Sequence, residues 1–126
     1  MDENAISSVI VDAAIEVHRT LGGPGLLESV YEEALCLELE RRDLKYERQK
    51  TLPVVYKGVT LGTPLRLDLV VENLVVVECK ASSLDNEIWQ IQTLTYLRLS
   101  KLKLGLVINF GHKLLKHNIH RVVNGL

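Results

Sequence analysis

Leu65-Arg66-Leu67-Asp68-Leu69-Val70-Val71-Glu72-Asn73-Leu74-Val75-Val76-Val77-Glu78-Cys79-Lys80 is the stretch on which the fold turns. Two apolar runs, Leu65–Val71 and Leu74–Lys80, are broken clearly only by Glu72 and Asn73, a pattern that predicts a β-hairpin. Acids inside otherwise apolar strands are unfavourable unless something pairs with them. Side chains alternate along a strand, so Arg66, Asp68 and Val70 share one face, and Val76, Glu78 and Lys80 share another. Pairing Val71 with Val75 leaves a three-residue loop, Glu72-Asn73-Leu74, and sets Asp68 opposite Glu78 on one face. A two-residue turn would put them on opposite faces, because a one-residue slip flips every side chain. Like charges directly opposite repel. A divalent cation shared by both carboxylates, beside Lys80, removes the repulsion, so the three-residue loop is expected.

Working outward, Gly62-Thr63-Pro64 and Lys57-Gly58 are breaks, and Tyr46–Tyr56 is extended, with Pro53 suggesting an edge or a bulge. Before it, residues ~5–21 carry Ile6, Val9, Ile10, Ala13, Ala14 and Val17 at helical spacing. A second helix, ~26–42, is rich in strong helix formers. Beyond the hairpin, a third helix is predicted over ~85–100, with an apolar stripe of Leu84, Ile88 and Ile91. Leu104–Phe110 is a continuous apolar run, expected as a buried strand, and Ile119–Val123 as a short edge strand. The order is ααβββαβ(β), an α/β mixed sheet flanked by helices. The third helix is a crossover that makes Leu104–Phe110 parallel to a central strand.

The 126 residues are expected to form a single domain, 1–126, with 47% apolar and 25% charged residues. No apolar run approaches the ~20 residues of a membrane span. The start, Met1-Asp2-Glu3-Asn4, lacks the basic and apolar regions of a signal peptide. Cys36 and Cys79 are too few for a disulfide framework or a zinc site, so a reducing cytoplasm is expected.

The net charge of −1 hides an asymmetry: residues 1–47 hold eleven acids and four Lys or Arg, whereas no acid follows Glu87. That last stretch carries Arg98, Lys101, Lys103, Lys113, Lys116 and Arg121, with His112, His117 and His120. Two readings stand: a polyanion-binding third, with Arg98, Lys101 and Lys103 as nucleic-acid contacts, or a solvated face balancing the acidic helices.

Asp68…Glu78-x-Lys80 suits metal-dependent phosphodiester hydrolysis. Two carboxylates and the Cys79 carbonyl are hard oxygen donors of the kind Mg²⁺ (or Mn²⁺) takes, leaving positions for water and phosphate. Lys80 is expected to position or help deprotonate a water, or to neutralise transition-state charge. The competing reading is a polar hairpin face on which Lys80 pairs with Glu78 or Asp68.

Asp68-Leu69-Val70 and Glu78-Cys79-Lys80 resemble the core of the PD-(D/E)XK nuclease superfamily. Gly25-Leu26-Leu27-Glu28-Ser29-Val30-Tyr31 resembles the signature of the GxxExxY family, and the likeness runs from about Val17 to Asn124. It takes in Tyr31-Glu32-Glu33-Ala34-Leu35, Gln92-x(3)-Tyr96-Leu97-Arg98 and Gly105–Phe110. Leu67 departs from the proline that names the superfamily, and Leu21-Gly22-Gly23-Pro24-Gly25 is one glycine longer than the usual Leu-Gly-Pro-Gly.

The resemblance implies a restriction-endonuclease-like fold and a Mg²⁺- or Mn²⁺-dependent nuclease acting on DNA or RNA. It implies Glu28 as a helix acid approaching the metal directly or through water, and Gln92 as the glutamine that follows the triplet. The residues alone also allow Glu28 to be an acid favoured by the helix dipole. Tyr31 either orients Glu28 or packs; Tyr96 is open in the same way; His18 is expected to cap or pack. A catalytically inactive nucleic-acid-binding or protein-interaction module is the alternative of another class. A homodimer whose groove forms across the interface is a third.

Overall fold

The computed structural model describes residues 1–126. Helices α1 (Glu3–Thr20) and α2 (Glu28–Arg41) come first, followed by strand β1 (Tyr46–Leu52). A ribbon of β2 (Val55–Tyr56) and β3 (Val59–Thr60) follows, then β4 (Leu65–Val71) and β5 (Val75–Lys80). The chain ends with α3 (Ile88–Ser100), β6 (Leu104–Asn109), a 3₁₀ turn (Leu115–His117) and β7 (Ile119–Val123). Five strands form one sheet in the order β1-β4-β5-β6-β7. Its β5–β6 pair is parallel and the other pairs are antiparallel. The expected order holds for this sheet. The extended stretch 46–56 is two strands rather than one, because Pro53 has no N–H to continue the ladder. Its second half folds back as the separate ribbon.

The central hairpin has the predicted register: Val71 pairs with Val75, Val70 with Val76 and Leu69 with Val77. Glu72 and Asn73 take positive φ, 53° and 57°, and the Leu74 N–H donates to the Val71 carbonyl at 3.0 Å. Left-handed residues at both central positions match a turn's twist to that of the strands.

The sheet is covered on both faces. Val75, Val77 and Cys79 point to the side where Ile6, Ile10, Tyr31, Leu35 and Leu39 of α1 and α2 are buried. Val76 and Val107 point to the other, beneath Leu97 of α3. Alternation then puts Glu78 on the α3 side.

α3 buries a different face from the one its apolar stripe suggests. Leu84, Ile88 and Ile91 are 75%, 43% and 59% exposed, whereas Thr93 and Leu97 are buried. The reason lies in β6. A Cβ at Gly105 would stand 2.7 Å from the Thr93 Cγ2 and 3.5 Å from Leu97, so the bare glycine admits this side of the helix to close approach.

The parallel pairing also fixes which loops meet. Lys80 lies beside Asn109 at the C-terminal ends of β5 and β6, while Val75 lies beside Leu104 at the other end. Segments 81–87 and 110–118 therefore gather at the Lys80 end. No helix is long and apolar enough to cross a membrane.

Candidate active site

β4 and β5 part company at the acids. The hairpin ladder ends at Leu69–Val77, and one further step of the same register sets Asp68 beside Glu78. Instead of a ladder bond, the Asp68 Oδ2 accepts the Cys79 N–H at 2.9 Å. On the other edge of β5, the Lys80 carbonyl accepts the Phe110 N–H at 2.7 Å. Successive residues of a strand turn their N–H and C=O to alternate edges. The Cys79 carbonyl therefore points to the split occupied by Asp68.

Glu78 is buried, and its Oε1 has no hydrogen-bond partner. Burial, and then the negative charge of Asp68, push its pKa up to about 9. Lys80 opposes the shift, yet it forms no ion pair with either acid. Half-buried, Lys80 holds its Nζ 5.7 Å from the centre of the Trp89 ring, within cation–π range. The paired polar face entertained from the sequence is absent.

α3 closes this side. Trp89, Gln92 and Tyr96 follow at helical spacing, so they share a face. The Tyr96 hydroxyl pKa is raised by burial, then by the negative charges of Glu78 and Asp68. Gln92 is exposed.

Helix α2 contributes in an unexpected way. Glu28 is its first residue, exposed and without a side-chain hydrogen bond or ion pair. One turn on, Glu32 is buried. It accepts from Arg48 Nε at 2.7 Å and from Gln49 Nε2 at 2.9 and 3.1 Å. The same Gln49 nitrogen stands 3.5 Å from Asp68 Oδ1, so one amide bridges Glu32 and Asp68. Gln49 manages this with φ of 53°, a left-handed residue inside β1, where it falls out of the ladder between Arg48–Leu69 and Lys50–Leu67. Glu32 carried a signal in the sequence: at i, i+3 and i+7 it aligns with Leu35 and Leu39, and an acid on an apolar stripe requires a partner. Gln49 carried none, because a left-handed residue inside a polar strand leaves no mark on composition.

The remaining residues brace these elements. Tyr31 stacks on Phe110 at 4.7 Å, and its hydroxyl donates to the Gly23 carbonyl at 2.7 Å, so it packs and anchors the glycine loop. His18 is buried and its Nε2–H donates to the His112 carbonyl at 2.8 Å. Cys79 is a buried core thiol whose pKa is raised by burial. Fully buried Asn109 binds the Ser82 N–H and carbonyl, the Gly111 N–H and Asp85. The Nε2 atoms of His112 and His120 face Asp85 at 3.5 and 3.9 Å. Lys101 and Lys103 lie just before β6, at the end opposite Lys80, and Arg98 lies in the last turn of α3.

A split between two central strands, lined by an aspartate, a buried glutamate and a free lysine, accords with a family-model match. The model of the PD-(D/E)XK nuclease superfamily matches residues 4–122. The chain belongs to the PD-(D/E)XK nuclease superfamily. Its five-stranded mixed sheet flanked by helices is the restriction-endonuclease-like fold of that superfamily. No curated protein and no solved structure matches the chain.

PD-(D/E)XK nucleases typically use divalent metals, and the residues at the split fit one. The unpartnered buried Glu78 Oε1, the Asp68 carboxylate and the Cys79 carbonyl supply oxygen donors. No group of three His, Cys, Asp or Glu side chains is arranged to hold an ion. Two carboxylates and a carbonyl with vacancies for water and phosphate suit Mg²⁺, which retains water readily.

Proposed function

We propose that this PD-(D/E)XK protein is a Mg²⁺- or Mn²⁺-dependent nuclease that hydrolyses phosphodiester bonds of DNA, with RNA as the second substrate to test. The observation that carries the reading is the state of Glu78: buried, unpartnered at Oε1 and raised to about 9 beside Asp68, an arrangement that a cation relieves.

Asp68, Glu78 and the Cys79 carbonyl would hold the metal, which lowers the pKa of water and offsets charge on the phosphate when bound. Lys80, free of any ion pair and held near Trp89, orients the attacking water and offsets charge developing on the phosphoryl oxygens. The Cys79 N–H fixes one oxygen of Asp68, and Gln49 tethers the other to Glu32. Gln92, between Trp89 and Tyr96, contacts substrate beside Lys80. Glu28, in the GxxExxY-like segment, acts through water from the exposed start of α2. Part of the cation set in the acid-free last third contacts the polyanion.

The test is cleavage of single-stranded, duplex, flapped and junction DNA, and of RNA, with Mg²⁺ and with Mn²⁺. Metal binding to the parent and to Asp68→Asn is followed in parallel by calorimetry. Metal-dependent cleavage lost in Asp68→Asn is expected. A parent that binds neither ion and cleaves nothing would sink the reading.

A further inference from the structure

Beside the Lys80 end of the sheet lies a cleft of about 440 Å³ between the end of α1, the Gly22-Gly23-Pro24 loop and segment 113–116. His18, Arg19, Lys113 and Lys116 line it, and no acid does. Arg19 is engaged by Glu16 at 2.6 and 2.7 Å. Lys113 and Lys116 are exposed and in no ion pair, so they carry its free charge.

Segment 110–116 is tied down at several points. Phe110 is bonded to the Lys80 carbonyl, and His112 receives the His18 ring N–H. Gly111 is bonded to Asn109, and Leu115 is buried between the two lysines. Gly111 passes so close to Ser82 that a Cβ there would stand 2.2 Å from the Ser82 carbonyl oxygen. The backbone at Lys113 and Lys116 is thus placed by the fold, so binding need not order it.

Position decides the rest. Lys113 is three residues beyond Phe110, at most about 11 Å of extended chain from the residue bonded to Lys80. Lys103 lies six residues before Asn109 along β6, roughly 20 Å at ~3.3 Å per residue, at the other end of the sheet. Ligands of parallel strands gather at their carboxyl ends.

We propose that the substrate track rounds the Lys80 end of the sheet: from the acids on the α3 face, the phosphodiester backbone flanking the scissile phosphate continues into this cleft on the α1 face, with Lys113 and Lys116 as its phosphate contacts. Arg98, Lys101 and Lys103, on the far side, lie off that path. This rests on the nuclease reading above.

The test is oligonucleotide binding in Ca²⁺, with mixed-sequence single strands and duplexes across a range of salt, for the parent, K113Q/K116Q and K101Q/K103Q. Each phosphate contact contributes about −0.9 to the log–log salt slope on duplex and about −0.7 on single strands. K113Q/K116Q should flatten the slope by about 1.8 on duplex and about 1.4 on single strands. It should raise KM for cleavage while leaving kcat at saturation near the parent's. K101Q/K103Q should follow the parent. An unchanged slope in K113Q/K116Q, or the loss appearing in K101Q/K103Q instead, overturns the track alone while the nuclease reading stands. A parent that binds acidic peptide but no oligonucleotide overturns both.

Discussion

At the residue scale the site contains one group in an uncomfortable protonation state and one group left free. Glu78 has a pKa near 9 against an ordinary 4.5, so in metal-free protein the folded state keeps a proton that the unfolded chain gives up. The sign follows: stability from this group is complete below about pH 4.5 and is lost as pH rises through the window to about 9. The slope cannot exceed about 1.4 kcal/mol per pH unit for one proton. In chelator, Glu78→Gln should therefore gain stability on the parent as pH rises from 5 to 9, read from paired melting curves. Parallel curves would refute the buried-acid account. Lys80 is the free group. Lys80→Ala should keep the fold and metal binding, and lower cleavage by a factor of ~10²–10⁴, the scale for losing a proton-transfer or charge-stabilising group. A variant cleaving at the parental rate would remove Lys80 from the mechanism.

At the scale of elements, close approaches set the arrangement. Gly105 lets the Thr93 side of α3 settle on β6, which turns Trp89 and Tyr96 toward the sheet, with Trp89 near Lys80, and leaves Ile88 and Ile91 outside. Gly111 lets the segment after β6 lie against the Ser82 backbone, directly beyond Lys80. A methyl at Gly111 meets backbone atoms at 2.2–2.5 Å, so a rotamer change cannot relieve it. Gly111→Ala should cost about 1–3 kcal/mol, the range for overpacking, in denaturant melts. It should also weaken oligonucleotide binding, because Lys113 moves with the segment. A variant as stable as the parent would show that the two loops do not pack this closely.

For the molecule as a whole, metal binding and folding should be linked. An ion that binds the folded chain alone stabilises it by about 2.7 kcal/mol at a hundredfold excess over its Kd. Mn²⁺ should raise the melting temperature of the parent and leave that of Asp68→Asn unmoved. That variant keeps an oxygen able to accept the Cys79 N–H, so its fold is preserved. Equal shifts in both proteins would place the ion elsewhere. The charge asymmetry acts at this scale too. The acidic helices and the acid-free last third meet in one small body, and the parallel β5–β6 pair separates the cations before β6 from those after it.

The hairpin and its register were legible in the sequence because strand alternation is rigid. Once Asp68 and Glu78 must meet, Val71 has to pair with Val75, and it does. The element order was legible because α1 shows helical spacing and β6 is an apolar run too short for a helix. Tertiary structure alone decided the face of α3, because both of its sides offer apolar residues and the choice rests on a glycine in another strand. It decided the bridge from Glu32 through Gln49 to Asp68, because a left-handed residue inside a polar strand has no sequence period. It decided which lysines stand near Lys80: composition counts charge along the chain, whereas a parallel strand carries residues six positions apart to opposite ends of the sheet.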